Sequence, residues 1–345
     1  MSTHRIIFTS LIFLCATNLP ALSAQASFAP TLVIADTALD STTAEFSKNI
    51  VLELCILEWS TCPNGDKFMQ GKGSANLPAG QILNNGFNHG TQMVSAAVRT
   101  NPDLNIIFIR ITGNSSSGLR LTSGDFTVAK MLDWVSNNKE SYNIQAVVMS
   151  QGHHNLSSLS DYCPRSFMVE GVINKLYSQQ VPIFLPAGNR GDKSRIDWPA
   201  CLPLTFGIGA LDQSRSIASY TNLDKNLIDY FELGNLRVLD ANGTERNSEG
   251  TSISAQIAAA KWMKIKKDYP DKSLEQLKQI LDSNIDLVSS ATFLGGKAIR
   301  ASVLGPLDFS RYLENLDQMR RELDELKILV MSLKVLFAGA ISSGR

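Results

Sequence analysis

Histidine is scarce in this chain, with 4 among 345 residues, and no Cys-x-x-Cys or Cys/His cluster accompanies it. Those absences exclude the familiar zinc-ligand spacings. An excess of one charge is lacking too. Lys+Arg and Asp+Glu balance at 32 each, so no global field points to nucleic acid or an anionic membrane. Internal repeats and low-complexity tracts are missing, and no apolar run reaches the ~20 residues of a comfortable membrane span. What is present suits a globular protein: 44% hydrophobic and 19% charged residues, enough for one large α/β domain or two smaller ones.

At the N-terminus, His4 and Arg5 precede a mostly apolar run from Ile6 to Ala16, and small residues follow through Ala24-Gln25-Ala26. This reads as a secretory signal peptide over residues 1–26, cleaved after Ala26, which predicts a secreted or periplasmic mature chain. Cys15 leaves with it. Cys55, Cys62, Cys163 and Cys201 remain, an even set for an oxidising compartment. Three pairings exist on paper; sequence proximity favours Cys55 with Cys62, leaving Cys163 with Cys201.

Short apolar runs at Thr31–Ala35, Asn105–Ile111, Ile144–Met149, Val181–Leu185 and Phe206–Ala210 read as buried strands. Helical patterns cover Gly90–Val98, Phe126–Asn137, Phe167–Ser178 and Ser254–Lys267. Such alternation predicts a mostly parallel sheet covered on both faces, with its site at the carboxyl ends of strands. Residues 41–87, which hold Cys55 and Cys62, read as a disulfide-tied excursion between the first strand and the first long helix.

Gly250-Thr251-Ser252-Ile253-Ser254-Ala255, followed by an Ala-rich run, reads as a loop delivering a serine onto the start of a buried helix. Unpaired N–H groups at a helix start can stabilise an oxyanion. The serine becomes a nucleophile when a histidine takes its proton and a carboxylate fixes the imidazole tautomer. Asp36 follows Val33-Ile34-Ala35, His89 sits in Asn88-His89-Gly90-Thr91, and Asn189 closes Pro186-Ala187-Gly188-Asn189 after an apolar strand. Alone, each has an ordinary role: Asp36 or Asn189 in a turn, His89 at a helix start, Ser252 as an N-cap. Together they run in the order Asp, His, Ser known from subtilisin.

On these residues the chain resembles the subtilisin-like serine proteases, the subtilases, from Thr31 to Val303. The resemblance implies a subtilisin-like α/β fold, a mostly parallel sheet with helices on both faces, in a peptidase domain over residues 27–305. It implies that Asp36 orients, His89 acts as general base and Ser252 attacks to form an acyl-enzyme. Asn189 and the Ser252 N–H would form the oxyanion hole. A polypeptide substrate would pair with a cleft edge at Ser150, Gln151 and Gly152, and Ser117-Gly118-Leu119 is a candidate for the opposite edge. Ala187 and Gly188 would wall the main specificity pocket. Asp197 would stand at its base, either drawing Lys or Arg before the scissile bond or being solvated or paired with Arg195. The chemistry needs no cofactor or metal; structural calcium is a family expectation to which no stretch assigns ligands.

The chain departs from the family pattern at Ala38, where glycine is usual, at Gln92, where a second histidine is common, and at Gln256, where proline is usual. None removes a catalytic atom, and a proline near a helix start is dispensable because its missing N–H is an orphan there. The departures keep open a second reading, a catalytically silent peptide-binding or assembly module. His153 and His154 lack a flanking motif and read as loop residues near the cleft. Ser27 to Pro30 leave no room for a folding prosegment, so folding is expected to be unaided or assisted in trans.

After Gly305-Pro306, Phe309, Tyr312, Leu316, Met319, Leu323, Leu326, Val330, Leu333 and Phe337 recur at alternating steps of three and four. That is a heptad seam. It predicts a coiled-coil-like amphipathic helix over residues 306–345, with self-association or partner docking through residues 308–337. Packing back on the catalytic domain is the alternative. Lys327 and Lys334 argue against a terminal membrane anchor.

Overall fold

The computed structural model describes residues 29–83, 86–121, 123–153, 163–290 and 293–300. The expected signal peptide, His154 and the C-terminal heptad helix lie outside the described residues. The strands, in chain order, are β1 Thr31–Asp36, β2 Ile50–Ile56, β3 Phe68–Gln70, β4 Asn105–Arg110, β5 Gly113–Asn114, β6 Arg120–Leu121, β7 Ile144–Met149, β8 Ile183–Pro186, β9 Phe206–Leu211, β10 Tyr230–Leu233, β11 Asn235–Leu239, β12 Glu245–Glu249, β13 Ile285–Ser290 and β14 Phe293–Ile299. The helices are α1 Ala79–Leu83, α2 His89–Thr100, α3 Asp125–Asn138, α4 Phe167–Ser178, α5 Thr251–Asp268 and α6 Leu274–Asp282.

Ten strands form one sheet in the order β13-β14-β10-β9-β8-β7-β1-β4-β2-β3. The eight from β14 to β2 run parallel, and β3 and β13 pair antiparallel at the two edges. β1 is buried along its whole length, and its side chains alternate between two cores. Leu32 and Ile34 join Val94 and Ala97 of α2, Ala255 and Ala258 of α5 and Leu277 of α6. Val33 and Ala35 join Met131 and Val135 of α3 and Val169 and Ile173 of α4. A strand buried on both faces has no polar face to display, which is why these runs are continuously apolar.

The region expected as an excursion differs. β2 enters the main sheet, parallel to β4 and antiparallel to β3. Its signal was hidden by Glu53, a buried carboxylate whose Oε2 accepts from Gly73 N at 3.0 Å and Ala75 N at 3.4 Å. The bridge Cys55–Cys62 does tie the turn beyond this strand, and Cys163–Cys201 is the second bridge.

After β1 the chain builds β2, β3 and β4 on one side and later β7, β8, β9 and β10 on the other. The strand order therefore reverses between β1 and β7, and in sheets of this kind the site lies at the carboxyl ends of the strands flanking such a reversal. α5 crosses behind it, with Ala255, Ala258, Ala259 and Ala260 fully buried, as expected for a helix that is covered all round. Its Lys261 is buried as well, donating to Glu232 Oε2 of β10 at 2.5 Å and to the Ile299 and Arg300 carbonyls.

Candidate active site

Asp36 is the last residue of β1 and has no solvent exposure. Its Oδ1 lies 2.8 Å from His89 Nδ1 and accepts from Thr37 N at 2.7 Å. His89 is the first residue of α2, and its side chain is a quarter exposed. The approach of α2 to β1 is fixed by the chain just beyond Asp36. Thr37 Oγ1 donates to Phe87 O at 2.7 Å and accepts from Gly90 N at 2.9 Å. A Cβ at Gly90 would meet Phe108 Cζ at 2.8 Å, so only glycine allows the helix this close. With Nδ1 facing a buried carboxylate, the imidazole is held in the tautomer that leaves Nε2 basic.

Ser252 is the second residue of α5, after Gly250 at φ +146°, a left-handed backbone that glycine adopts without strain. Ser252 O accepts from Ser150 Oγ at 3.3 Å, which ties the serine's turn to the end of β7. No bond joins Ser252 Oγ to His89 among the described residues; in unliganded sites such contacts tighten when substrate arrives.

Asn189 follows β8, and its Oδ1 accepts twice from Thr251, from N at 2.8 Å and from Oγ1 at 2.9 Å. Thr251 Oγ1 in turn accepts from Gly188 N at 3.1 Å. Two donors on Oδ1 decide the amide orientation and leave Nδ2 as the free donor beside the serine's helix start.

Arg110, the register partner of Asp36 on β4, is fully buried and donates to Thr112 O and Asn114 Oδ1. Burial lowers its guanidinium pKa to about 10. Even so it stays cationic at neutral pH, at the same end of the sheet as Asp36.

The sequence model of the subtilase family matches residues 29–296. The chain belongs to the subtilase family. It is 22% identical over 260 residues to Subtilisin BL of Lederbergia lenta, covering 72% of this chain and 89% of that protein. Its fold is similar to a cold-adapted subtilisin-like serine proteinase, with a TM-score of 0.59, 21% identity and coverage of 79% of this chain and 89% of the other. A lanthipeptide protease is similar at a TM-score of 0.62 and 15% identity, with 82% of this chain and 89% of that one covered.

The three departures from the subtilase pattern have concrete surroundings. Ala38 is fully buried where α2 meets β1, and its carbonyl lies against Gly90. Gln92 donates to Asp240 Oδ1 at 2.7 Å and accepts from Ser248 Oγ at 3.3 Å, while Asn88 also donates to Asp240. The residues flanking His89 thus hold the β11–β12 hairpin, and this hairpin was not legible in the sequence. Gln256 is the sixth residue of α5, beyond the N–H groups that a helix start leaves unpaired, so the orphan argument for a dispensable proline does not apply. It is fully buried instead, donating from Nε2 to Ser150 Oγ at 3.1 Å while its Oε1 has no partner.

Gln151, expected only as part of a substrate edge, reaches Asp36: Nε2 lies 3.1 Å from Oδ1. Sequence pattern carries no signal for such a contact. Gly152 leads into His153, which pairs with Trp198 through both backbone groups, N to O at 3.0 Å and O to N at 3.1 Å, and lies tilted against its ring with the centroids 4.8 Å apart. The expected substrate edge at Ser150, Gln151 and Gly152 is thereby joined to the segment that holds Asp197. Ala187 accepts from Asp197 N at 2.8 Å, and the Asp197 carboxylate, lying against Gly188, accepts from Asn222 Nδ2 at 2.9 Å. Arg195 pairs with Asp192 at 3.0 Å rather than with Asp197. Ser117-Gly118-Leu119 is the turn of the small β5–β6 hairpin. Its N–H groups at Gly118 and Leu119 donate to Ser115, so this turn does not offer them to a substrate strand. For calcium, no three acidic, His or Cys side chains converge among the described residues, and Asp40 Oδ1 is occupied by Thr42 N and Oγ1. These residues present no carboxylate cage for the ion.

Proposed function

We propose that this subtilase is a secreted or periplasmic serine endopeptidase that uses Asp36, His89 and Ser252. The observation that carries the reading is the 2.8 Å contact between Asp36 Oδ1 and His89 Nδ1, at the switch point of a subtilase sheet and beside the helix start that bears Ser252. In this mechanism Ser252 Oγ attacks the peptide carbonyl while His89 Nε2 takes its proton, then returns it to the leaving amine. The oxyanion is met by Asn189 Nδ2 and the Ser252 N–H, aimed before the charge develops. Released amine gives way to water, and the same base deacylates the serine. The two disulfides fit an oxidising compartment, and no helix among the described residues is long and apolar enough to cross a membrane.

Labelling with a fluorophosphonate tests this directly. The native protein should be modified and Ser252→Ala should not. Equal absence of labelling in both folded proteins refutes the endopeptidase and leaves the peptide-binding module.

A further inference from the structure

The buried carboxylate of Asp36 is hydrogen-bonded in a lopsided way. Oδ1 is approached by His89 Nδ1 at 2.8 Å, Thr37 N at 2.7 Å and Gln151 Nε2 at 3.1 Å. Oδ2, equally buried, has no partner. Rotation about the Cβ–Cγ bond would exchange the two oxygens, so something must hold Oδ1 toward the imidazole. Thr37 N, on the next residue, resists that rotation from the chain's own backbone but does not tie the carboxylate to another element of the sheet. His89 is the group being oriented. Gln151 is the donor that comes from a different segment, two residues beyond the end of β7.

The Gln151 amide is itself well anchored. Nε2 donates to Ser150 O at 3.0 Å as well as to Asp36 Oδ1. Both are pure acceptors, so Nε2 and not Oε1 must face them. The backbone is held on one side by β7 and on the other by the His153–Trp198 bridge. Nε2 also lies 3.4 Å from His89 Nδ1. That nitrogen donates to Asp36, so the two N–H groups converge on one oxygen rather than on each other.

We propose that Gln151 is a positioning residue of the catalytic pair, clamping Asp36 Oδ1 from the turn after β7 so that the carboxylate presents this oxygen to His89. The inference rests on the triad reading above and gives Gln151 a role separate from lining the substrate edge. Oδ1 is thereby approached from just beyond β1, from just beyond β7 and from α2. Without the clamp, only Thr37 N opposes rotation of the carboxylate, and the imidazole is held in its direction less firmly. Since a lone hydrogen bond to a charged group is modest in strength, the effect is a fraction of that of losing Asp36 itself.

The test uses Gln151→Met, which keeps the length and removes the donor, and Gln151→Glu, which keeps the shape and turns a carboxylate toward Asp36. Thermal unfolding establishes that each is folded. The low-field proton resonance of His89 Nδ1–H, assigned by its loss in His89→Ala, should move in Gln151→Met and move further in Gln151→Glu. On a peptide substrate, kcat should fall about tenfold in Gln151→Met, with KM changed by less than about twofold, and fall further in Gln151→Glu. An unmoved resonance, an unchanged kcat, or a loss confined to KM overturns the proposal. The resonance requires no turnover. Failure of Ser252 labelling beside a displaced resonance therefore refutes the peptidase reading, while labelling beside an unmoved resonance refutes the role of Gln151 alone.

Discussion

Replacing Gln256 by methionine should stabilise this protein or leave it unchanged, although it deletes a buried hydrogen bond. The side chain has no solvent exposure and makes one bond, from Nε2 to Ser150 Oγ at 3.1 Å. Deleting that bond costs about 1 kcal/mol. Its Oε1 is buried with no donor in reach, and removing an orphaned acceptor returns about 1–3 kcal/mol. Ser150 Oγ is not stranded by the change, since it still donates to Ser252 O at 3.3 Å. Methionine matches glutamine closely in length and in helix propensity. The balance is a gain of about 0–2 kcal/mol, read as a higher urea midpoint at constant m-value. A loss greater than about 1 kcal/mol refutes the reasoning, because it means that a buried water satisfies Oε1 and that the amide is a complete node.

Other substitutions probe different parts of the molecule. Asn189→Leu removes the free Nδ2 donor and should lower kcat by about 10²–10³, or about 2.7–4 kcal/mol, with KM nearly constant; an equal effect on KM alone would place Asn189 in ground-state binding. Asp197→Asn, screened on a peptide library, should reduce cleavage after Lys and Arg relative to large apolar residues, and an unaltered profile removes Asp197 from the pocket. Glu45, hydrogen-bonded to Arg99 near the end of α2, is held by that guanidinium below its ordinary carboxyl value of 4.5. A depressed folded-state value contributes stability above pH 4.5 that is lost as pH falls through the lowered value. Glu45→Gln should therefore flatten the acid limb of Tm against pH, and an identical limb in both proteins refutes the linkage.

The parts of the fold legible in the sequence share one physical trait. β1, β4, β7, β8 and β9 are buried on both faces along most of their length, so, apart from strand-end residues and Gln145, their residues are apolar. β2 and β10 are central too, yet each carries a buried glutamate. Glu53 is paired with backbone N–H groups and Glu232 with Lys261, partners that only the folded chain brings near. The β13–β14 pair shows Leu287 and Leu294 to solvent, so its pattern points to no core. The chemistry divides in the same way. Asp36, His89, Asn189 and Ser252 stand in short motifs at element ends, whereas Gln151 and Gln256 act across 115 and 106 residues of sequence. Side-chain amides bonding over such separations have no local signature.

The bridge between Cys163 and Cys201 encloses 38 residues of separation that include α4, β8 and Asn189. As the endopeptidase proposed above, this protein would be exposed to attack by its own copies. A single nick anywhere inside this covalent ring cannot release either end, because the sulfur link still holds both fragments together. Asn189 therefore stays tethered to the body after such damage, and the two fragments separate only once a reductant reaches the bridge.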